Sequence, residues 1–354
     1  MKTFTKKQLE EILNIKKGEH KLFMPNEIFE QLKGYVNEDG EYIEGFYDIK
    51  HEKVKRFKSS THIAYAYAYV YLAHYMYRYC KYYYYKNYYT KVNIDEKMIK
   101  QILGFPSKSD TYTYITKKDG VLARLGYIRK ESDKPIDIVI LEDIFIKGKW
   151  EYSHVVMESD YLEVYNSNNR NRKINYPVKA FFREPWAEEE GYENGTFIFV
   201  HNTHLIDIDV FTYCMADSDL GVNGFYLYSF ISHKHDVFKG SFNCSIKKFV
   251  SSTGLGEKTV RTQLENLEKR NMIVNDHKPY CLDKKDWQIA KSNTYGVLPY
   301  NKFISNSSEF KEMPKQRRIS AKRYEEEIGF VIYEDDLDNS SINDDGEDLG
   351  QLPF

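Results

Sequence analysis

The sequence predicts an α+β chain that is mainly helical and that repeats one module before an acidic tail. A pair of short helical patterns broken by a glycine occurs at residues 246–273 and again, more weakly, at 93–128, and an aromatic helix precedes each pair. The predicted boundaries are 1–150 for an N-terminal extension with the first module, 151–195 for a connecting segment, 196–310 for the second module, 311–333 for a basic linker and 334–354 for a disordered acidic tail.

The first aromatic helix is predicted from a tyrosine run. Tyrosines alternate with alanine or valine over residues 64–71, a two-residue period that suits a strand. No turn residue interrupts residues 62–86, however, which is too long for an ordinary strand, and the alanines favour a helix. We expect the tyrosines to lie in a core or a subunit interface, or to reflect the composition of an AT-rich genome. Stacking on unpaired bases is the functional alternative.

The helices of the first module follow this run. Residues 93–103 place Ile94, Met98 and Ile102 on one face of a short helix, which the glycine and proline of GFP stop. A second helix is predicted over 110–125. A basic turn and an Ile-Val-Ile strand come after it.

The second module carries the clearest pattern in the chain. Gly254 separates two helical segments and supplies the residue that turns the backbone with positive φ at little steric cost. After it, Val260, Leu264 and Leu267 recur at spacings of four and three, so that one face of the second helix is buried. Residues 246–273 therefore predict a helix-turn-helix.

The opposite face of that second helix is polar. It begins with Lys258, Thr259, Arg261 and Thr262, side chains of the kinds that contact phosphate oxygens and base edges in the major groove of duplex DNA. The matching cations of the first module are Lys108, Lys117 and Lys118. Two other interpretations stay open, since an amphipathic helix pair also packs cores and such modules also bind proteins.

A hairpin is predicted directly after the helix-turn-helix. Strands over 272–274 and 294–298 are joined by a polar loop whose lysines are expected to contact phosphate; the residues selected are Lys278, Lys285 and Lys291. A strand pair with a basic loop next to a helix-turn-helix resembles a winged helix, in which the wing lies along the DNA backbone while the helix enters the groove. Both modules are interpreted as winged helices.

The C-terminal tail is strongly acidic, whereas the rest of the chain has a net positive charge. Residues 334–354 hold eight carboxylates and no Lys or Arg, so the rest of the chain has a formal charge of +6 against −2 for the whole. The tail ends in Leu352, Pro353 and Phe354 and is similar to the acidic tip of bacterial single-stranded DNA-binding proteins, which recruits replication and repair proteins. The alternatives are a solubilising tail and a tail that folds back on the cationic surface.

The sequence predicts no catalytic residue, cofactor or metal site. TGLGEKT at 253–259 differs from a phosphate-binding loop because Glu257 stands between glycine and lysine. The histidines and aspartates of 201–209 lack the spacing of a nuclease and are expected to serve turns and caps. Four scattered cysteines, no apolar run of about 20 residues and no signal-peptide core predict a cytoplasmic protein with no membrane partner.

Over about residues 60–145 and 196–300, the chain resembles the winged-helix replication initiators and replisome organisers of plasmids and phages in Gram-positive bacteria, including the winged N-terminal domain of DnaD-like proteins. The resemblance implies a DNA-binding replication initiation protein that binds repeated duplex sites of an origin and recruits a host replication protein through its tail. The sequence leaves open whether the protein forms a homodimer. A winged-helix transcriptional regulator is the alternative, and an adaptor that binds proteins is a third class.

Overall fold

The computed structural model describes residues 4–36, 42–48, 53–87, 90–146, 150–157, 173–178 and 202–331. These residues form an α+β structure of helices and small sheets, as the sequence predicts. The helices are α1 (Lys6–Leu13), α2 (Ile28–Gln31), α3 (Ser60–Arg78), α4 (Glu96–Ile102), α5 (Thr113–Thr116), α6 (Val121–Arg124), α7 (Ile208–Ala216), α8 (Gly221–Val237), α9 (Ile246–Thr253), α10 (Glu257–Lys269) and α11 (Ala321–Glu327).

The strands are short, apart from one long hairpin. They are β1 (Lys21–Pro25), β2 (Gly34–Val36), β3 (Tyr42–Glu44), β4 (Phe46–Asp48), β5 (Lys53–Lys55), β6 (Tyr83–Asn87), β7 (Thr90–Asn93), β8 (Ile128–Glu131), β9 (Pro135–Ile146), β10 (Trp150–Met157), β11 (Ile174–Pro177), β12 (Thr203–Asp207), β13 (Phe242–Cys244), β14 (Ile273–Asp276), β15 (Tyr280–Cys281), β16 (Ile289–Ala290), β17 (Asn293–Val297), β18 (Arg318–Ile319) and β19 (Phe330–Val331). None of the helices within the described ranges combines the length and the apolar character needed to cross a membrane.

Strand pairing connects distant parts of the chain. β1 pairs antiparallel with β12, with Phe23 opposite Leu205, so the N-terminal extension lies against the second half of the chain. β8 pairs antiparallel with β11, and β9 pairs with β10. β13, β17 and β14 form an antiparallel sheet in that spatial order.

The tyrosine helix α3 lies in the centre of the structure and packs against α8. Its residues 62–77 are all buried, including Tyr65, Tyr67, Tyr69 and Tyr71. Alanine alternates with tyrosine here, so small side chains let neighbouring elements approach while the phenol rings fill the space between them. The prediction that these tyrosines are core residues is confirmed, and their burial removes them from base stacking.

Two buried hydroxyl groups in α3 are hydrogen-bonded to the second half of the chain. Tyr67 Oη is hydrogen-bonded to His204 Nε2 at 2.7 Å, and Tyr71 Oη donates to the backbone oxygen of Ile206 at 3.2 Å. A single apolar cluster runs from Leu9 to Tyr295 and contains residues of both predicted modules. The predicted modules 1–150 and 196–310 therefore share one core.

The chain after residue 310 differs from the predicted basic linker. Within 311–331 it forms β18, α11 and β19, and these close a second small core of Cys281, Ile319, Tyr324 and Phe330. β18 pairs with β15 and β19 pairs with β16, so this C-terminal unit (residues 311–331) is built onto the loop between β14 and β17. The acidic tail, residues 334–354 with its tip, and most of the predicted connecting segment lie outside the described residues.

Acid is expected to destabilise the protein through His74. This side chain is fully buried in α3, and burial lowers its pKa to about 3. Unfolded histidine has a pKa of about 6.5, so between pH 6.5 and 3 the unfolded chain binds a proton that the folded chain does not, and stability falls as pH falls through that window. From pH 7 to pH 5 we expect His74 to account for a loss of about 2 kcal/mol in unfolding free energy.

Urea denaturation at pH 7 and pH 5 measures this loss. His74→Leu removes the titrating ring, so the variant should lose about 2 kcal/mol less than the native chain over the same pH interval. An equal loss in both proteins would show that His74 does not carry the effect.

Candidate nucleic-acid interface

The turn between α9 and α10 is fixed by local contacts and by α3. The Ser245 hydroxyl accepts a hydrogen bond from the backbone N–H of Lys248 and caps α9. Gly254 ends α9 with φ +69°, as predicted, and a Cβ at this position would lie 2.7 Å from Ile63 Cδ1 on α3. A glycine is therefore required both for the backbone conformation and for the close approach to α3.

The predicted buried face of α10 is confirmed. Val260, Leu264 and Leu267 are buried in the main core. Gln263 is also buried and donates a hydrogen bond to the backbone oxygen of Asp219 at 2.9 Å. These contacts fix the rotation of α10 about its axis, so the opposite stripe faces outward.

The outward stripe holds the predicted DNA contacts. Lys258, Arg261 and Thr262 are exposed and Thr259 is half-buried. Arg261 Nε and Nη2 donate to Glu257 Oε1 at 2.9 and 2.8 Å, an exposed pair one helical turn apart. Such pairs contribute only about 0.3–0.5 kcal/mol, so the guanidinium can exchange this carboxylate for a phosphate or a base at small cost.

The far end of α10 is less available. Asn266 Nδ2 donates to the backbone oxygen of Asp219 at 3.0 Å, and Lys269 is ion-paired with Glu265. Over its whole length α10 carries as many carboxylates as cations. The cationic stripe is therefore confined to the first two turns, beside the positive end of the helix dipole.

One carboxylate of α10 is buried and hydrogen-bonded within the chain. Glu268 is buried, is hydrogen-bonded to His277 Nε2 at 2.7 Å and accepts a hydrogen bond from Asn275 Nδ2 at 3.0 Å. It lines a groove of about 580 Å³ between α10, the loop that follows β14 and residues 313–316. Arg261 lines the same groove, so the hydrogen bonds to His277 and Asn275 occupy a carboxylate that lies on the Arg261 side of α10.

The loop between β14 and β17, residues 277–292, is the predicted wing. Lys278 is ion-paired with Asp276, whereas Lys285 and Lys291 are exposed. The backbone N–H of Lys291 donates to Tyr324 Oη at 2.9 Å, which joins the loop to α11. The C-terminal unit therefore contacts and supports this loop. The sequence does not predict the contact, because Tyr324 stands in a run of charged residues.

In the first module the prediction of a single helix over 110–125 is wrong. The chain forms two short helices, α5 and α6, on either side of Gly120, whose backbone is extended. The backbone becomes extended at Lys117, and a Cβ at Gly120 would lie 2.7 Å from the carbonyl oxygens of Tyr114 and Ile115, so only glycine fits where the chain passes back along α5. The predicted contact residues of this module are all exposed; they are Lys108, Lys117 and Lys118.

The starts of α5 and α10 meet at the same end of α3. Tyr114 Oη is hydrogen-bonded to His62 Nδ1 at 2.7 Å, and a Cβ at Gly256 would lie 4.0 Å from Ser60 Oγ. Exposed Lys58 lies beside α5, with Nζ 5.2 Å from the centre of the Tyr114 ring. Sequence analysis missed Lys58, for which the only signal is the basic run KVKRFK ahead of α3.

Within residues 202–209 the predicted capping role is confirmed for Asp207, whereas His204 is a buried core residue. Asp207 caps α7 by accepting a hydrogen bond from the backbone N–H of Asp209 at 2.9 Å. His20, Asp207 and Asp209 place one ligand atom each within 4.8 Å of one another, but Lys6 Nζ donates to Asp209 at 3.1 Å and supplies the positive charge there. His204 is buried, with Nδ1 hydrogen-bonded to Asn26.

Comparison with known proteins finds no family model, no curated protein and no solved structure that matches the chain.

Proposed function

We propose that this protein is a DNA-binding replication initiation protein built from two winged helices, and that it binds repeated duplex sites. The observation that carries the proposal is the exposed stripe of Lys258, Arg261 and Thr262 at the start of α10. The buried face of the helix holds this stripe outward. Cationic and hydroxyl side chains at a helix N-terminus suit phosphate and base-edge contacts in a major groove.

The order of elements supports the winged-helix assignment. In the second module α8, β13, α9, α10, β14 and β17 follow one another, and β17 lies between β13 and β14 in the sheet. In the first module α3, α4, α5, β8 and β11 follow in a similar order, with β8 paired to β11. The long hairpin of β9 and β10 stands where the wing of that module belongs.

The placement of both modules supports a single extended contact with DNA. Residues at the starts of α5 and α10 lie against His62 and Ser60 at the N-terminal end of α3, and Lys58 lies beside Tyr114 of α5. Lys117, Lys118 and the α10 stripe would therefore face one duplex together. The recruitment of a host replication protein is proposed from the tail sequence ending in Leu352, Pro353 and Phe354.

A titration on DNA tests this proposal. Footprinting on DNA that flanks the protein's own gene gives the site, and Lys258→Ala/Arg261→Ala is then compared with the native chain by gel shift. We expect the affinity to fall about 10- to 100-fold and the dependence of log K on log salt to flatten by about two charges. Equal binding by both proteins would contradict the proposal.

Two further variants make the test specific. The control variant Lys16→Ala/Lys17→Ala removes the same amount of positive charge at the opposite end of α3. These lysines lie near Glu19, which is ion-paired with Lys81 just after the C-terminal end of that helix. A helix of 19 residues is about 28 Å long, so the control site is far from the proposed contact. This variant should bind DNA almost normally. Glu257→Gln removes the carboxylate that competes for Arg261 and should tighten binding about two- to fivefold at low salt.

A further inference from the structure

The tip of the second wing, residues 280–289, is unusually apolar for an exposed loop. Trp287 is 71% exposed and Leu282 is 59% exposed. With Tyr280 and Ile289 they make up four of the eight most exposed large hydrophobic side chains within the described residues. Single exposed apolar residues are common on proteins, but a cluster on one short loop marks a contact surface.

This tip has a defined shape. β15 and β16 at its base are paired with β18 and β19 of the C-terminal unit. Asp283 accepts a hydrogen bond from the backbone N–H of Ala321 at 2.6 Å. The turn is closed by Gln288, whose side chain accepts from the backbone N–H of Lys285 at 2.8 Å. A Trp held on such a support loses little conformational entropy when it binds.

Charge indicates the kind of partner. The wing loop 277–292 carries four lysines against two aspartates, a net positive charge. Lys285 Nζ lies 5.8 Å from the Trp287 ring. An indole face beside ammonium groups suits a nucleotide, since the base stacks on the ring while the phosphate is paired by lysine. The lysines would gain nothing from an uncharged lipid surface or an uncharged apolar groove, and among anionic partners DNA is the one that the proposed contact at α10 already brings to this chain.

We infer that Trp287 is a nucleobase-stacking residue, supported by Leu282 and by Lys284 and Lys285. The inference rests on the proposed DNA binding and adds a second contact to it. The α10 stripe binds the closed duplex, whereas Trp287 stacks on a base that has left its stack, either at a base step opened within the bound site or in a single strand.

The test compares Trp287→Ala and Trp287→Phe with the native chain. Anisotropy titrations use a single-stranded oligothymidine and the duplex that contains the footprinted site. Trp287→Ala should weaken binding about 10-fold on at least one of them, and Trp287→Phe should retain most of the affinity because it keeps an aromatic face. Val237→Ala, which shortens a 54% exposed side chain at the end of α8, should bind as the native chain does.

Fluorescence provides a readout that a structural role would not change. The chain has three tryptophans, and stacking of a base on Trp287 should quench native emission on DNA addition while Trp287→Phe shows no such quenching. If Trp287→Ala loses affinity for the duplex, the stacked base belongs to an opened base step within the bound site. If it loses affinity only for oligothymidine, the stacked base belongs to a single strand. Unchanged affinity for both DNAs overturns the inference while leaving the proposed function intact. Failure of the native chain to bind either DNA overturns both.

Discussion

Arg270→Ala is expected to lower the free energy of unfolding by about 3–5 kcal/mol, since removing one partner of a buried ion pair leaves the other charge uncompensated. Arg270 directly follows α10 and is only 2% exposed. Its Nε and Nη2 donate to the two carboxylate oxygens of Asp217 at 2.6 and 3.0 Å, and its guanidinium centre lies 4.4 Å from the centre of the Phe310 ring.

The bidentate pair accounts for most of this effect. Asp217 lies between α7 and α8, with its side chain 22% exposed, so without Arg270 it would keep a poorly solvated charge. Asp219 also accepts from Arg270, but it is largely exposed and contributes little. Arg270→Lys keeps the charge but loses the forked geometry, and its stability should lie between those of the native chain and Arg270→Ala.

Urea denaturation at neutral pH measures the change. Lys269→Ala is the matched control, because it removes the neighbouring cation from an exposed pair with Glu265 and should cost less than about 0.5 kcal/mol. If Arg270→Ala were as stable as Lys269→Ala, the buried ion pair of Arg270 with Asp217 would not stabilise the fold.

Local sequence predicts the parts of the proposed interface that depend on helical period and on one glycine. The buried positions Val260, Leu264 and Leu267 and the turn at Gly254 follow from spacings of three and four and from the need for positive φ. The outward position of Arg261 follows from the same period. These features are determined within about twenty residues of chain.

Features that depend on distant contacts escape such reasoning. The pairing of β1 with β12 joins segments separated by almost two hundred residues, and no local pattern specifies the partner of a strand. Tyr324 packs with Cys281 in the second core, but its charged neighbours resemble a solvated linker. The predicted helix ends at Lys117, and Gly120 is then needed for a close approach to backbone oxygens, a contact that helix propensity does not report.

Phe29→Ala should destabilise the whole described structure by about 3–5 kcal/mol, the usual cost of emptying a fully packed aromatic site. Phe29 belongs to α2 in the N-terminal extension and is 2% exposed. Its ring centroid lies 5.4 Å from that of Tyr67 on α3, 4.9 Å from that of His204 on β12 and 5.3 Å from that of Phe230 on α8. One side chain therefore contacts both predicted modules and the extension.

The form of the transition distinguishes a shared core from two independent ones. Because Phe29 contacts elements of both modules, its loss should shift one cooperative urea transition, followed in parallel by circular dichroism and tryptophan fluorescence. Tyr85→Ala truncates an aromatic side chain that is 63% exposed and should change stability by less than about 0.5 kcal/mol. Two separate transitions, only one of which responds to Phe29→Ala, would mean that the modules fold independently. In that case a common core would not fix the position of α10 relative to the first module, and the proposed joint contact with one duplex would lose its support.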